Sequence, residues 1–291
     1  MNIKHLAVIS IALCLFSCKS ESTTYQGPNY IIFAAKEHTF GVLDNEEVFE
    51  VPISATRTAD YDRNIGVEVV VAESSAIEGL HFSIESNTVT IPAGELTTSL
   101  RLRGIADNIA IEAQPKIVLN LILNDEDIWD VYGTRSEVTL QRCCPFIIED
   151  FEGYAKITST WLMQYMNTDS LIVTTEVDKE SNIVTIKDMF YEGYDIKISL
   201  DNSNRLEPRA TLKPTEQVLG STGEAFGTIY GNGKLMMMEP MGYTSYYGTC
   251  EKFMVLYTTM YVDNVGTVGT YVNIIEWITK EEAERLKREG F

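Results

Sequence analysis

Histidine is the scarcest chemically useful side chain in this sequence. The 291 residues hold three, His5, His38 and His81. A Ser-His-Asp or Cys-His site needs one of them beside a nucleophile, and no Gly-x-Ser-x-Gly elbow occurs in the chain. The run Gly227-Thr-Ile-Tyr-Gly231-Asn-Gly233-Lys234 misses the phosphate-loop register, because Leu235 follows the lysine. Basic residues are also few: 23 against 42 acids give a formal charge of −19. Such a surface repels phosphate backbones, which excludes nucleic acid as a partner. Cysteines at zinc spacing are absent, so no metal and no cofactor are expected. Long apolar runs are missing after the first residues, so no later segment is expected to span a membrane. The acids fall mostly on solvent faces or in loops, and no paired-carboxylate cleft announces itself. The chain reads as a non-enzyme.

What is present starts with Lys4 and an apolar run from Leu6 to Phe16, the length of a signal-peptide core. It ends in Leu15-Phe16-Ser17-Cys18, which resembles a bacterial lipobox. The resemblance implies that residues 1–17 are removed, that Cys18 is lipidated, and that the protein is anchored at the outer membrane, facing the periplasm or the cell surface. Residues 18–28 are then a lipidated polar tether. With Cys14 in the leader and Cys18 lipidated, three cysteines remain. That odd number allows one internal disulfide, of Cys143 or Cys144 with Cys250, and leaves one thiol.

Residues 29–142 read as strand after strand: Tyr30–Phe33, Val48–Ile53, Gly66–Val71, Thr88–Ile91, Thr98–Arg103, Lys116–Leu123 and Glu137–Gln141. Leu100 and Leu102 face one way, Arg101 and Arg103 the other. This density of short strands without helical period predicts a β-sandwich of Ig-like type. The run Glu78-Gly79-Leu80-His81-Phe82, then Val89-Thr90-Ile91-Pro92-Ala93-Gly94-Glu95, then Leu100 and Leu102, resembles a Calx-beta-type sandwich over residues 76–123. His81 stands where that family carries Asp. The acids open to a calcium site are Asp107, Glu112, Asp125, Glu126 and Asp127, and Asp125-Glu126-Asp127 reads as a solvated loop.

Residues 143–291 are expected to form a second β-domain. Strands are predicted over Leu171–Val177, Ile183–Lys187, Tyr194–Leu200, Phe226–Tyr230, Lys234–Met238, Phe253–Val262 and Tyr271–Ile278. Short turns such as Asp201-Asn202-Ser203-Asn204 suggest a meander that closes into a lipocalin-like barrel. A short C-terminal helix follows Thr279, capped by Thr279 and Glu282 and laced by Glu281–Arg285 and Glu284–Arg288 pairs. Ala283 and Leu286 rest on the barrel.

The most unusual stretch is Met236 to Gly248, with four methionines and three tyrosines. Tyrosines offer a flat apolar face with a hydroxyl at the tip, suited to sugar rings or protein interfaces. Tyr243, Tyr246 and Tyr247 are therefore candidate ligand contacts, with Met236 and Met238 as core residues. Trp161, Tyr165 and Tyr191 are candidate liners of a barrel pocket. The order of parts resembles the two-domain surface lipoproteins of Bacteroidetes, which implies glycan capture or an envelope contact. The expected function is a membrane-anchored binding module, possible partners being a polysaccharide or an envelope protein. The alternatives are an adhesin or envelope scaffold that docks a protein and, third, a glycoside hydrolase or esterase.

Overall fold

The computed structural model describes Tyr25 and residues 27–290. The leader, the lipidation motif at Cys18 and most of the tether lie outside these residues.

Nine strands build the first half: β1 Ile31–Phe33, β2 Glu37–Val42, β3 Val48–Ala55, β4 Arg63–Val69, β5 Phe82–Ile84, β6 Thr88–Ile91, β7 Thr97–Gly104, β8 Lys116–Ile122 and β9 Arg135–Arg142. They form two sheets, ordered β1-β3-β7-β5 and β2-β9-β8-β4-β6. All pairings are antiparallel except β2 with β9. The period-two pattern explains the packing. Leu100 and Leu102 of β7 are buried, while Arg101 turns outward to Glu85 at 3.0 Å. Facing residues Val51, Ile53, Ile117, Leu119, Val138 and Leu140 are also fully buried, each stabilising the fold by about 1.5–3 kcal/mol.

Ten more strands follow: β10 Gly153–Ser159, β11 Ser170–Asp178, β12 Ile183–Lys187, β13 Ile196–Asp201, β14 Arg209–Leu212, β15 Glu216–Ser221, β16 Lys234–Met238, β17 Tyr246–Gly248, β18 Phe253–Val262 and β19 Gly266–Ile278. Eight of them close a barrel, β10-β11-β12-β13-β14-β17-β18-β19, with β19 returning to β10. The hairpin β15–β16 hangs on the far half of β18. A side chain ties its free edge down. The Lys197 N–H donates to Gln217 Oε1 at 2.8 Å, and Gln217 Nε2 donates to the Lys197 carbonyl at 2.7 Å. The amide supplies the acceptor that the Lys197 N–H lacks and adds a second donor to a carbonyl that already takes the Lys213 N–H. The barrel core is a cluster separate from the sandwich core.

The all-β class, the sandwich, the barrel and the short terminal helix agree with the sequence reading. Several local expectations do not. Phe226–Tyr230 is not a strand: helix α1, Thr222–Phe226, ends there, capped by Ser221 and Glu224 in a reciprocal box, and turns follow. In β16 the inward residues are Leu235 and Met237, so Met236 and Met238 are half-buried instead. Helix α2, Lys280–Glu289, does bury Ala283 and Leu286. Its ion pairs, however, join Arg285 to Glu282 and Glu289, and Lys280 to Glu284. Glu282 therefore leaves the capping role to the Thr279 side chain alone.

Candidate functional site at the sandwich–barrel seam

The chain leaves β9 through Cys143-Cys144-Pro145-Phe146 and enters the barrel. Cys144 is bonded to Cys250, Cα to Cα 5.2 Å, which decides between the two possible pairings. Cys143 remains a buried free thiol, and burial pushes its pKa up. Its N–H donates to the Val42 carbonyl at 2.9 Å, holding the exit against the sandwich. From the barrel side, the loop between β13 and β14 leans on the same place. Arg205 donates to both carboxylate oxygens of Glu47 at 2.7 Å. Gly41 permits this closeness, since a Cβ there would stand 3.0 Å from Cys143 Sγ and Leu206 Cδ2.

Beside this clasp lies a cleft of about 640 Å³, lined from the sandwich by Gln141 and Arg142 and from the barrel by Arg209, Tyr246 and Phe253 among others. Its barrel wall follows from strand pairing. Arg209 of β14 is the direct partner of Tyr246 of β17. The flanking bonds, Ala210 N–H to the Ser245 carbonyl and Tyr247 N–H to the Pro208 carbonyl, make this a non-hydrogen-bonded pair. In such pairs the two side chains share a face and approach most closely. Phe253 extends that face, its ring 6.1 Å from Tyr246 and edge-on to it. It lies over Gly248, where a Cβ would meet the ring at 2.4 Å. The wall is thus a guanidinium, a phenol and a phenyl ring in sequence, with Tyr246 42 % exposed.

The other sequence candidates go elsewhere. Strand alternation turns Tyr247 inward, 1 % exposed, between Phe146 and Phe151. Its hydroxyl has no hydrogen-bond partner, and burial drives its pKa far up. Trp161 is fully buried, stacked on Tyr165 at 4.2 Å and edge-on to Tyr271. Tyr191 is packed against the same core, and its ring fills the space a Cβ on Gly220 would need. Trp161, Tyr165 and Tyr191 are corrected from pocket liners to packing, because the barrel interior they were to line is filled by their own rings, and Tyr247 is a packing residue at the cleft's inner edge. Tyr243 is exposed and packs on Tyr257 at 5.2 Å, outside the cleft lining. Tyr246 and Tyr247 both border the cleft, but only Tyr246 offers it an exposed ring. Sequence reasoning missed Arg142, Arg209 and Phe253, whose meeting depends on pairings between distant segments.

The barrel's buried polar groups serve one another. Ser159 Oγ donates to Asn273 Oδ1 at 2.7 Å, and Asn273 Nδ2 donates to the Leu256 carbonyl and to Thr258 Oγ1. Of the described histidines, His81 Nδ1 accepts from the Ile77 N–H, and His38 lies edge-on to Phe49. Neither is hydrogen-bonded to a serine or cysteine among the described residues. The acids open to calcium do not converge: among the described residues no three His, Cys, Asp or Glu side chains are grouped to hold a metal ion. Among them too, no helix is long and apolar enough to cross a membrane.

No curated protein matches the chain. Among solved structures it is similar to a Bacteroides ovatus protein of unknown function, 11 % identical, over 84 % of this chain and 90 % of that one, with a TM-score of 0.36. It is similar to the apo form of the Calx CBD1 domain, 17 % identical, over 40 % of this chain and 98 % of that one, with a TM-score of 0.33. A third, from Bacteroides ovatus, is described as a candidate carbohydrate binding protein; it is 12 % identical over 84 % and 67 % of the two chains, with a TM-score of 0.32. The Domain of unknown function family DUF4984 matches residues 131–289, more than half of the chain, and the chain belongs to that family.

Proposed function

We propose that this protein is a non-enzymatic binding protein, held at the outer membrane by lipid on Cys18, whose ligand is a glycan bound in the seam cleft. The observation that carries the ligand site is the exposed Tyr246 face, continued by Phe253 and bordered by Arg209, Arg142 and Gln141. Aromatic faces take the apolar side of a sugar ring, and fixed polar groups at the edge take its hydroxyls. The barrel interior is packed, so the seam is the better-formed concavity. The sequence Leu15-Phe16-Ser17-Cys18 after an apolar run supports the anchor. The Cys144–Cys250 bridge supports an oxidising compartment outside the cytoplasm.

A polysaccharide array probed with the full chain in detergent tests the ligand class. Selective retention of a subset of glycans is the expected result. A blank array from protein that melts cooperatively contradicts it. Mass spectrometry of the N-terminal peptide tests the anchor, with diacylglyceryl on Cys18 expected and an unmodified thiol contradicting it.

A further inference from the structure

The arginines of the cleft are not equally committed. Arg205 gives itself to both oxygens of Glu47. Arg142 donates one Nη to the Ala106 carbonyl and stands 3.9 Å from Asp107, while its buried Nε has no acceptor. Arg209 is the least engaged. Its guanidinium donates no hydrogen bond to any described residue, and the nearest carboxylate oxygen, of Glu207, is 3.7 Å away, beyond hydrogen-bond distance. It is also the cross-strand neighbour of Tyr246. A pyranose ring laid on Tyr246 therefore sits beside an open guanidinium fork.

From this we infer that the cleft selects saccharides carrying a ring carboxylate, that is, uronates; the inference rests on the glycan reading of the cleft. A guanidinium presents parallel N–H donors that match the two oxygens of a planar carboxylate. A neutral sugar leaves that fork to water. The overall charge of −19 does not forbid an acidic ligand, because ionic screening limits its reach to about 8 Å in physiological salt. Within that distance the anion meets the local set. Glu251 lines the cleft but also lines the neighbouring one beside Glu276 and Arg285, which places it at the rim. Two acids compete for Arg209, Glu207 at 3.7 Å and Asp201, its direct partner on β13; the ligand carboxylate takes the place Glu207 only half fills.

The test is titration of the full chain with polygalacturonate, with a neutral galactan, and with dextran sulfate as a non-uronate polyanion. Polygalacturonate is expected to bind best. Arg209→Met is expected to weaken it roughly 10- to 100-fold, as loss of a charged hydrogen-bonding partner does, while leaving the melting temperature unchanged. Glu207→Gln is expected to tighten it. Equal binding of galactan and polygalacturonate, equal binding of dextran sulfate, or an unaffected Arg209→Met variant overturns the uronate inference and leaves the glycan reading standing. No binding of any saccharide by folded protein overturns the glycan reading itself.

Discussion

Arg209 and Tyr246 face each other as a non-hydrogen-bonded cross-strand pair on the outside of the barrel, at the end that meets the sandwich. The next residue along, Tyr247, points the opposite way into the core. One strand of three residues thus supplies both an exposed phenol on the cleft wall and a buried one, and the two should respond differently to the same substitution.

Tyr247→Ala removes a fully packed ring and should cost about 3–5 kcal/mol. Tyr247→Phe deletes a buried hydroxyl that lacks a partner, so stability should hold or rise by up to about 1 kcal/mol. Tyr246→Ala should stay within about 0.5 kcal/mol of wild type. Urea titrations of the three variants check this; an equal loss at both tyrosines would sink the in–out assignment.

The Cys144–Cys250 bridge spans a sequence separation of 106 residues. Closing a loop of that size stabilises by about 4–5 kcal/mol in chain-entropy terms. Both ends belong to the barrel side of the seam. Calorimetry should therefore show the barrel transition falling in Cys250→Ser while the sandwich transition stays in place. Cys143, being buried, should react with a thiol reagent only after unfolding.

Gln217 is the hinge between the β15–β16 hairpin and β13. Its replacement by Ala leaves the Lys197 N–H without its partner, while the Lys197 carbonyl keeps the Lys213 N–H at 3.0 Å, at a cost of about 1–3 kcal/mol. Amide exchange at Lys197 should accelerate in the variant, and unchanged protection there would remove Gln217 from this role.

Burial lowers the pKa of His38, whose Nε2 is enclosed without a partner. The unfolded chain then binds a proton more readily than the folded one. Above the unfolded value, near 6.5, both states are neutral and stability is unaffected. As pH falls below it, the sandwich should lose stability until the folded-state histidine also protonates. His38→Phe should flatten this dependence between about pH 6.5 and 5. Identical pH profiles for the variant and wild type would contradict it.

Much of the fold was legible where alternation is clean. Ile183–Lys187, Lys234–Met238 and Phe253–Val262 occupy the strands expected of them, because each repeats its buried side every second residue. The short β14 and β17 were not, since three or four residues carry no measurable period. For the same reason the sequence could not say which of Tyr246 and Tyr247 turns outward. The β2 strand was missed because only its last three residues are buried. Helix α1 left a readable signal, the Ser221-x-x-Glu224 box, overshadowed by the aromatic run after it. The Arg209–Tyr246 pairing is set by barrel closure, which no local pattern encodes.

Binding at the seam is tested most directly by the affinity of a retained glycan for the wild-type chain, for Tyr246→Ala and for Tyr243→Ala, with melting temperatures recorded alongside. A loss of about tenfold or more is expected in Tyr246→Ala, the worth of one aromatic contact, and no change in Tyr243→Ala. Equal affinities for wild type and Tyr246→Ala, in protein that remains folded, would place the binding site away from the seam.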